Sequence, residues 1–129
     1  MYPDVFTIAK QSASVLSVLG APLPRLWPFK KAPQPGNPGY GVPYSTHQLA
    51  YGTPLNTLSC PPDMDDLSVQ FDVYGEDATQ VREVVEALRD AFEQSFNPVV
   101  SWDGEDWDQP TGLYRSTFTV QFMTGRVAS

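Results

Sequence analysis

Leu67-Ser68-Val69-Gln70-Phe71-Asp72-Val73-Tyr74 is the stretch on which the fold turns. Its apolar residues Leu67, Val69, Phe71 and Val73 alternate with Ser68, Gln70, Asp72 and Tyr74. That period of two predicts a strand with one buried face and one wet face. Gly75 and Glu76 lead on to Asp77, which is placed to N-cap a helix, with Gln80 at the third helical position completing a capping box. Val81, Val84, Val85, Leu88 and Phe92 then recur at three- and four-residue steps and form one apolar stripe. Arg82, Glu83, Glu86, Arg89, Asp90 and Glu93 fill the opposite face, with Arg82 to Glu86 and Arg89 to Glu93 at favourable helical spacing.

Towards the C-terminus, Asn97-Pro98 interrupts the chain, and Val99, Val100 and Trp102 read as a short strand. An acidic loop is expected over residues 103–111. Beyond it Tyr114, Ser116, Phe118, Val120 and Phe122 alternate with Arg115, Thr117, Thr119 and Gln121. This last strand is expected to lie antiparallel beside Leu67–Tyr74. Towards the N-terminus, Val5, Ile8, Ala9, Ser12, Ala13, Leu16 and Leu19 predict one amphipathic helix, with Pro3 and Asp4 as its start signals and Gly20 as its stop. Aromatics in 23–29 suggest a strand, and the prolines there assign it to an edge. Residues 32–43 hold Pro33, Pro35, Pro38, Pro43, Gly36, Gly39 and Gly41, which remove backbone donors and favour turns, so a long projecting arm is expected. Residues 44–51 read as another strand, followed by a proline-bearing connection through Cys60, Pro61 and Pro62 to Asp63, Asp65 and Asp66.

These elements add up to an α+β fold, a two-layer sandwich in which a four- to five-stranded, mainly antiparallel sheet carries two helices on one face. The 129 residues suit one domain, able to bury roughly two thirds of its unfolded surface. The net charge of -7 makes phosphate backbones poor partners. Charge is also segregated along the chain: residues 63–108 hold fourteen carboxylates against Arg82 and Arg89, whereas Lys10, Arg25, Lys30 and Lys31 precede them with only Asp4. Such a distribution is ordinary solvated surface on its simplest reading, and it is also compatible with head-to-tail docking of copies or with two different partners. Cys60 is the only cysteine, so no internal disulfide is expected and a reducing cytoplasm is the simplest compartment. No apolar run approaches the ~20 residues that span a bilayer, and Met1-Tyr2-Pro3-Asp4 lacks the basic start of a secretory signal.

Motifs that would carry chemistry are not found. The glycines of the arm alternate with prolines instead of opening a helix that could cradle phosphate. His47 is the only histidine, and no serine or cysteine stands at a recognisable spacing from it. The context Ser59-Cys60-Pro61-Pro62 matches no cysteine-enzyme signature. Asp103-Gly104-Glu105-Asp106-Trp107-Asp108 offers carboxylates suited to a hard cation, but not at the spacing of a calcium-binding loop, so it reads as a solvated acidic segment. Trp102 and Trp107 stand among these acids, which disfavours nucleic acid and favours a loop anchor or a subunit contact. The expectation is no catalytic residues, no cofactor and no metal: a protein that is not an enzyme.

The order of elements and several local strings resemble the tail-completion, or tail terminator, family of long-tailed bacteriophages. The resemblance runs from Pro3 to about Thr124 and rests on Ala32-Pro33-Gln34, Pro43-Tyr44, Gly52-Thr53-Pro54, the Leu67–Tyr74 strand leading through Gly75 into the Asp77 helix, and Thr111-Gly112-Leu113-Tyr114-Arg115. The Pro/Gly insertion and the acidic segment after Trp102 depart from the family pattern. The resemblance implies a structural virion protein, made in the host cytoplasm, of which six copies form a ring that caps the head-proximal end of the tail tube. Its implied partners are its own copies, the tail tube protein and the head-tail connector or head-closure protein, with the tape-measure protein a further candidate, DNA only in transit and no membrane. Within that frame Pro33, Pro35, Pro38, Tyr40, Tyr44 and Trp107 are the subunit-interface candidates, and Asp103, Glu105, Asp106 and Asp108 the channel-lining candidates. The competing expectations are another neck component, such as a head-closure adaptor or minor tail protein, and a stand-alone binding module.

Overall fold

A computed structural model describes residues 5–29, 31–57, 60–95 and 97–125. Strands β1 (Leu26–Pro28), β2 (Tyr44–Thr57), β3 (Cys60–Gly75), β4 (Val99–Asp108) and β5 (Leu113–Gly125) form one sheet in the order β1-β2-β3-β5-β4. β1 runs parallel to β2, and the other neighbouring pairs are antiparallel. Helices α1 (Val5–Lys10), α2 (Ala13–Leu19) and α3 (Ala78–Gln94) complete the second layer. α3 lies across β3, β5 and β4, while α1 and α2 pack on α3. The α+β two-layer sandwich anticipated from the sequence is therefore the fold.

Alternation builds the core. Leu67, Val69 and Phe71 of β3 stand directly opposite Phe122, Val120 and Phe118 of β5, so two period-two strands present one apolar surface to the helices. Phe71 is its centre: its ring stacks on Phe118 at 5.2 Å between centroids and meets Phe92 of α3 at 5.0 Å. Phe92 in turn meets Phe122 edge-on at 5.6 Å. α3 starts where Asp77 predicted, its carboxylate accepting the Gln80 backbone N–H at 2.8 Å. Gln80 Oε1 reaches back one residue further than in the usual box, accepting the Glu76 N–H at 2.7 Å.

Three expectations need correction. The single N-terminal helix is two: Ser12 closes α1 by donating its N–H to Ala9 and then caps α2 by accepting the Val15 N–H on its hydroxyl. A serine side chain competes with the helix for backbone partners, which the apolar spacing does not register. Its expected start signals, Pro3 and Asp4, lie outside the described residues. The proline-bearing connection after residue 51 is instead a continuation of the β2–β3 ladder as far as Thr57 and Cys60. Its prolines are tolerated because, among the described residues, the sheet has thinned there: β1 pairs β2 as far as His47, and the β5 partners of β3 begin at Met64. Lastly, the acidic loop expected over 103–111 is strand through Asp108 and turn only beyond it. Two register shifts, between Val99 and Ser101 and between Trp102 and Gly104, let β4 follow β5, and charge pairing holds the acids in the ladder.

Candidate assembly surfaces

The sheet face away from the helices carries Tyr44, Thr46 and Gln48 of β2, Gln70, Asp72 and Tyr74 of β3, and Arg115, Thr117 and Thr119 of β5. It holds no lysine. Although Asp72 belongs to the side of its strand that reads as wet, it is buried, and its carboxylate accepts the Thr117 hydroxyl at 2.6 Å. The Ser45 hydroxyl donates to the Asp72 carbonyl oxygen at 3.1 Å. These polar groups tie β2, β3 and β5 together across the middle of the sheet.

The Pro/Gly segment covers one end of this face. Arg25 Nε donates to the Pro43 carbonyl at 2.8 Å and tethers the segment's base. Trp27 and Pro33 approach Gly39 so closely that a side chain there would touch both. With Pro110 and Thr111 of the β4–β5 turn and Leu113 at the start of β5, the segment lines a cavity of about 270 Å³. Pro33, Pro35, Tyr40 and Tyr44, four of the expected interface residues, meet at this cavity together with Tyr74. Tyr44 is buried within its own chain, stacked on Tyr74 at 4.9 Å with Tyr40 at 6.3 Å. Burial, reinforced by the neighbouring tyrosines, pushes the Tyr44 phenol up to about 12. Pro38 is exposed in the outer turn of the segment, and Trp107 stands apart on β4.

The four channel-lining candidates do not form one cluster. Glu105 pairs with Arg82 of α3 at 2.9 Å. Asp106 pairs with Arg115, its cross-strand neighbour, at 2.6 Å, and Asp108 reaches the same guanidinium at 3.5 Å. Asp103 accepts the hydroxyls of Ser101 at 2.9 Å and Thr119 at 2.7 Å. The hydrogen bonds from Arg82 and Arg115 hold the Glu105 and Asp106 carboxyls below their ordinary range. Glu105 thus serves the helix side, whereas Asp103 and Asp106 serve the open face. Among the described residues no three His, Cys, Asp or Glu side chains are grouped to hold a metal ion, and no helix is long and apolar enough to cross a membrane.

At the β1–β2 edge an apolar groove of about 380 Å³ is lined by Val5, Pro28, Phe29, His47, Leu49 and Val69. Phe29 is 81% exposed and holds a positive φ of 56°, a conformation that bulky residues rarely adopt. At the opposite edge, β4 exposes Trp102 at 57% and Trp107 at 55%. Sequence reasoning missed the groove, because it joins α1, β1, β2 and β3 and no local pattern reports that meeting. It also missed the Asp72–Thr117 bond, which becomes visible once the register of β3 on β5 is known.

His47 contacts the Phe71 ring at 5.9 Å, and burial lowers its pKa from 6.5. A base whose folded pKa is depressed binds its proton more readily when unfolded, so stability is complete above the unfolded value and declines as pH falls through 6.5 towards the folded pKa. We expect urea midpoints to fall between pH 7 and pH 5, and His47→Gln to flatten that limb. An unchanged slope in the variant would assign the acid sensitivity to the carboxylates.

No family model matches this chain, and no curated protein matches it.

Proposed function

We propose that the protein is a structural subunit of a bacteriophage tail, a tail-completion protein that assembles, six copies to a ring, on the head-proximal end of the tail tube and joins it to the head connector. The observation that carries this reading is the family-like frame of the chain. Pro43-Tyr44 opens β2, the Leu67–Tyr74 stretch runs through Gly75 into the Asp77-capped helix, and Thr111–Arg115 leads into β5. The open sheet face supports the same reading. It carries glutamines, threonines and acids, with Arg115 engaged by Asp106 and Asp108, so it offers little to hold DNA by counterion release. In this proposal that face, with Asp103 and Asp106 at its margin, lines the channel, and Glu105 does not.

Deleting the gene from the phage that encodes it tests the assignment. Loss of this subunit is expected to leave overlong tails or tails that fail to join heads. Tails of normal length, fully capped and lacking only head attachment, would instead assign the protein to head closure.

A further inference from the structure

We infer that copies of this chain meet edge to edge, the β4 edge of one copy docking on the β1–β2 edge of the next, with Trp102 seated in the groove formed by Val5, Pro28, Phe29, His47, Leu49 and Val69. The inference deepens the ring reading and rests on its premise that copies of the chain contact one another.

Register carries the argument. Pro28 stands opposite His47, His47 opposite Phe71, Phe71 opposite Phe118, and Phe118 opposite Trp102. The groove and Trp102 therefore occupy the two ends of a single row that crosses the sheet on its helix side. Continuing the sheet into a second copy along that row brings an exposed indole to an exposed apolar hollow. Strand direction allows it: β4 runs opposite to β5, which runs opposite to β3, so β4 is antiparallel to β2. Both edges also offer unpaired backbone among the described residues, β4 on its outer side and β2 beyond the reach of β1, the situation that invites strand addition.

Charge follows the same division. Residues 5–62 contain Lys10, Arg25, Lys30 and Lys31 and no carboxylate. β4 brings Asp103, Glu105, Asp106 and Asp108, for which Arg82 and Arg115 are the facing cations among the described residues, an excess of negative charge along this strand. Asp106 lies in the row of Arg115, Tyr74 and Tyr44, which is the level of Arg25. An acidic edge thus meets a carboxylate-free one. Because the two surfaces differ, the contact is heterologous and propagates from copy to copy until rotation closes it into a ring.

The test uses two full-length variants in a Cys60→Ser background, Gln48→Cys and Ser101→Cys, which occupy the two ends of the neighbouring row of the register and leave Trp102 and the six groove residues in place, with folding verified by circular dichroism. They are treated with a short bismaleimide alone and as an equal mixture. Docking raises the local concentration of the two thiols, so the mixture is expected to form covalent pairs at least about tenfold faster than either variant alone. Like pairs forming as fast as mixed ones, or no pairs above the rate of a free-thiol control, would overturn the interface. Parallel imaging of the Cys60→Ser protein on uncapped phage tails separates the two claims. Mixed pairs without tail binding uphold the interface and sink the tail assignment, and tail binding without mixed pairs does the reverse.

Discussion

Phe71→Ala is expected to lower the unfolding free energy by about 3–5 kcal/mol, the range for truncating a buried phenylalanine. Phe71 is fully buried and lies between Phe118 in the neighbouring strand and Phe92 on the helix that covers it. Truncation removes the ring that joins the two layers, and the surrounding rings cannot close the gap without leaving their own contacts with Phe122 and Trp102. Since domains of this kind are stable by only about 5–15 kcal/mol, the variant should retain at best a small margin. Urea unfolding followed by circular dichroism measures it. A loss below about 1 kcal/mol would mean that Phe71 does not centre the core.

The second large effect is expected at Gly75, between β3 and α3. A Cβ there would lie 2.8 Å from Val81 Cγ2 and 3.3 Å from the Val81 backbone nitrogen. Val81 is buried and stiff at χ1, so the methyl must displace the helix or the strand end, at a cost of about 1–3 kcal/mol. Gly75→Ala should therefore destabilise, and Val81→Ala should remove most of the added penalty when the two are combined. A double-mutant cycle in urea reads the coupling directly. Strict additivity would show that the close approach is not what holds glycine at this position.

Local signals located the parts of this fold that depend on local causes. The alternation of 67–74 and the Asp77 cap each involve residues within one or two turns of each other, and both describe the structure well. The early helix failed at Ser12 because a hydroxyl can serve either a helix interior or a cap, and apolar spacing does not distinguish the two. Residues 103–108 failed for a different reason. Carboxylates have little intrinsic preference for strands, and here Asp106 stays in the ladder through Arg115, while Glu105 stays through Arg82 of a separate element. Pairing over such separations is invisible in a linear pattern. The candidate surfaces divide in the same way. Proline and glycine density marked 32–43 as one segment, but not that it folds back over Tyr44 and Tyr74, which belong to β2 and β3. The groove arises from four elements, and only the sheet register shows that it shares a row with Trp102.

Function rests on whether this scaffold serves as a tail component, and the most direct measurement is to add the purified protein to uncapped phage tails and image them by electron cryomicroscopy. A ring of added density is expected at the head-proximal end of the tube and nowhere else. Bare tube ends, or density scattered along the tube, would contradict it.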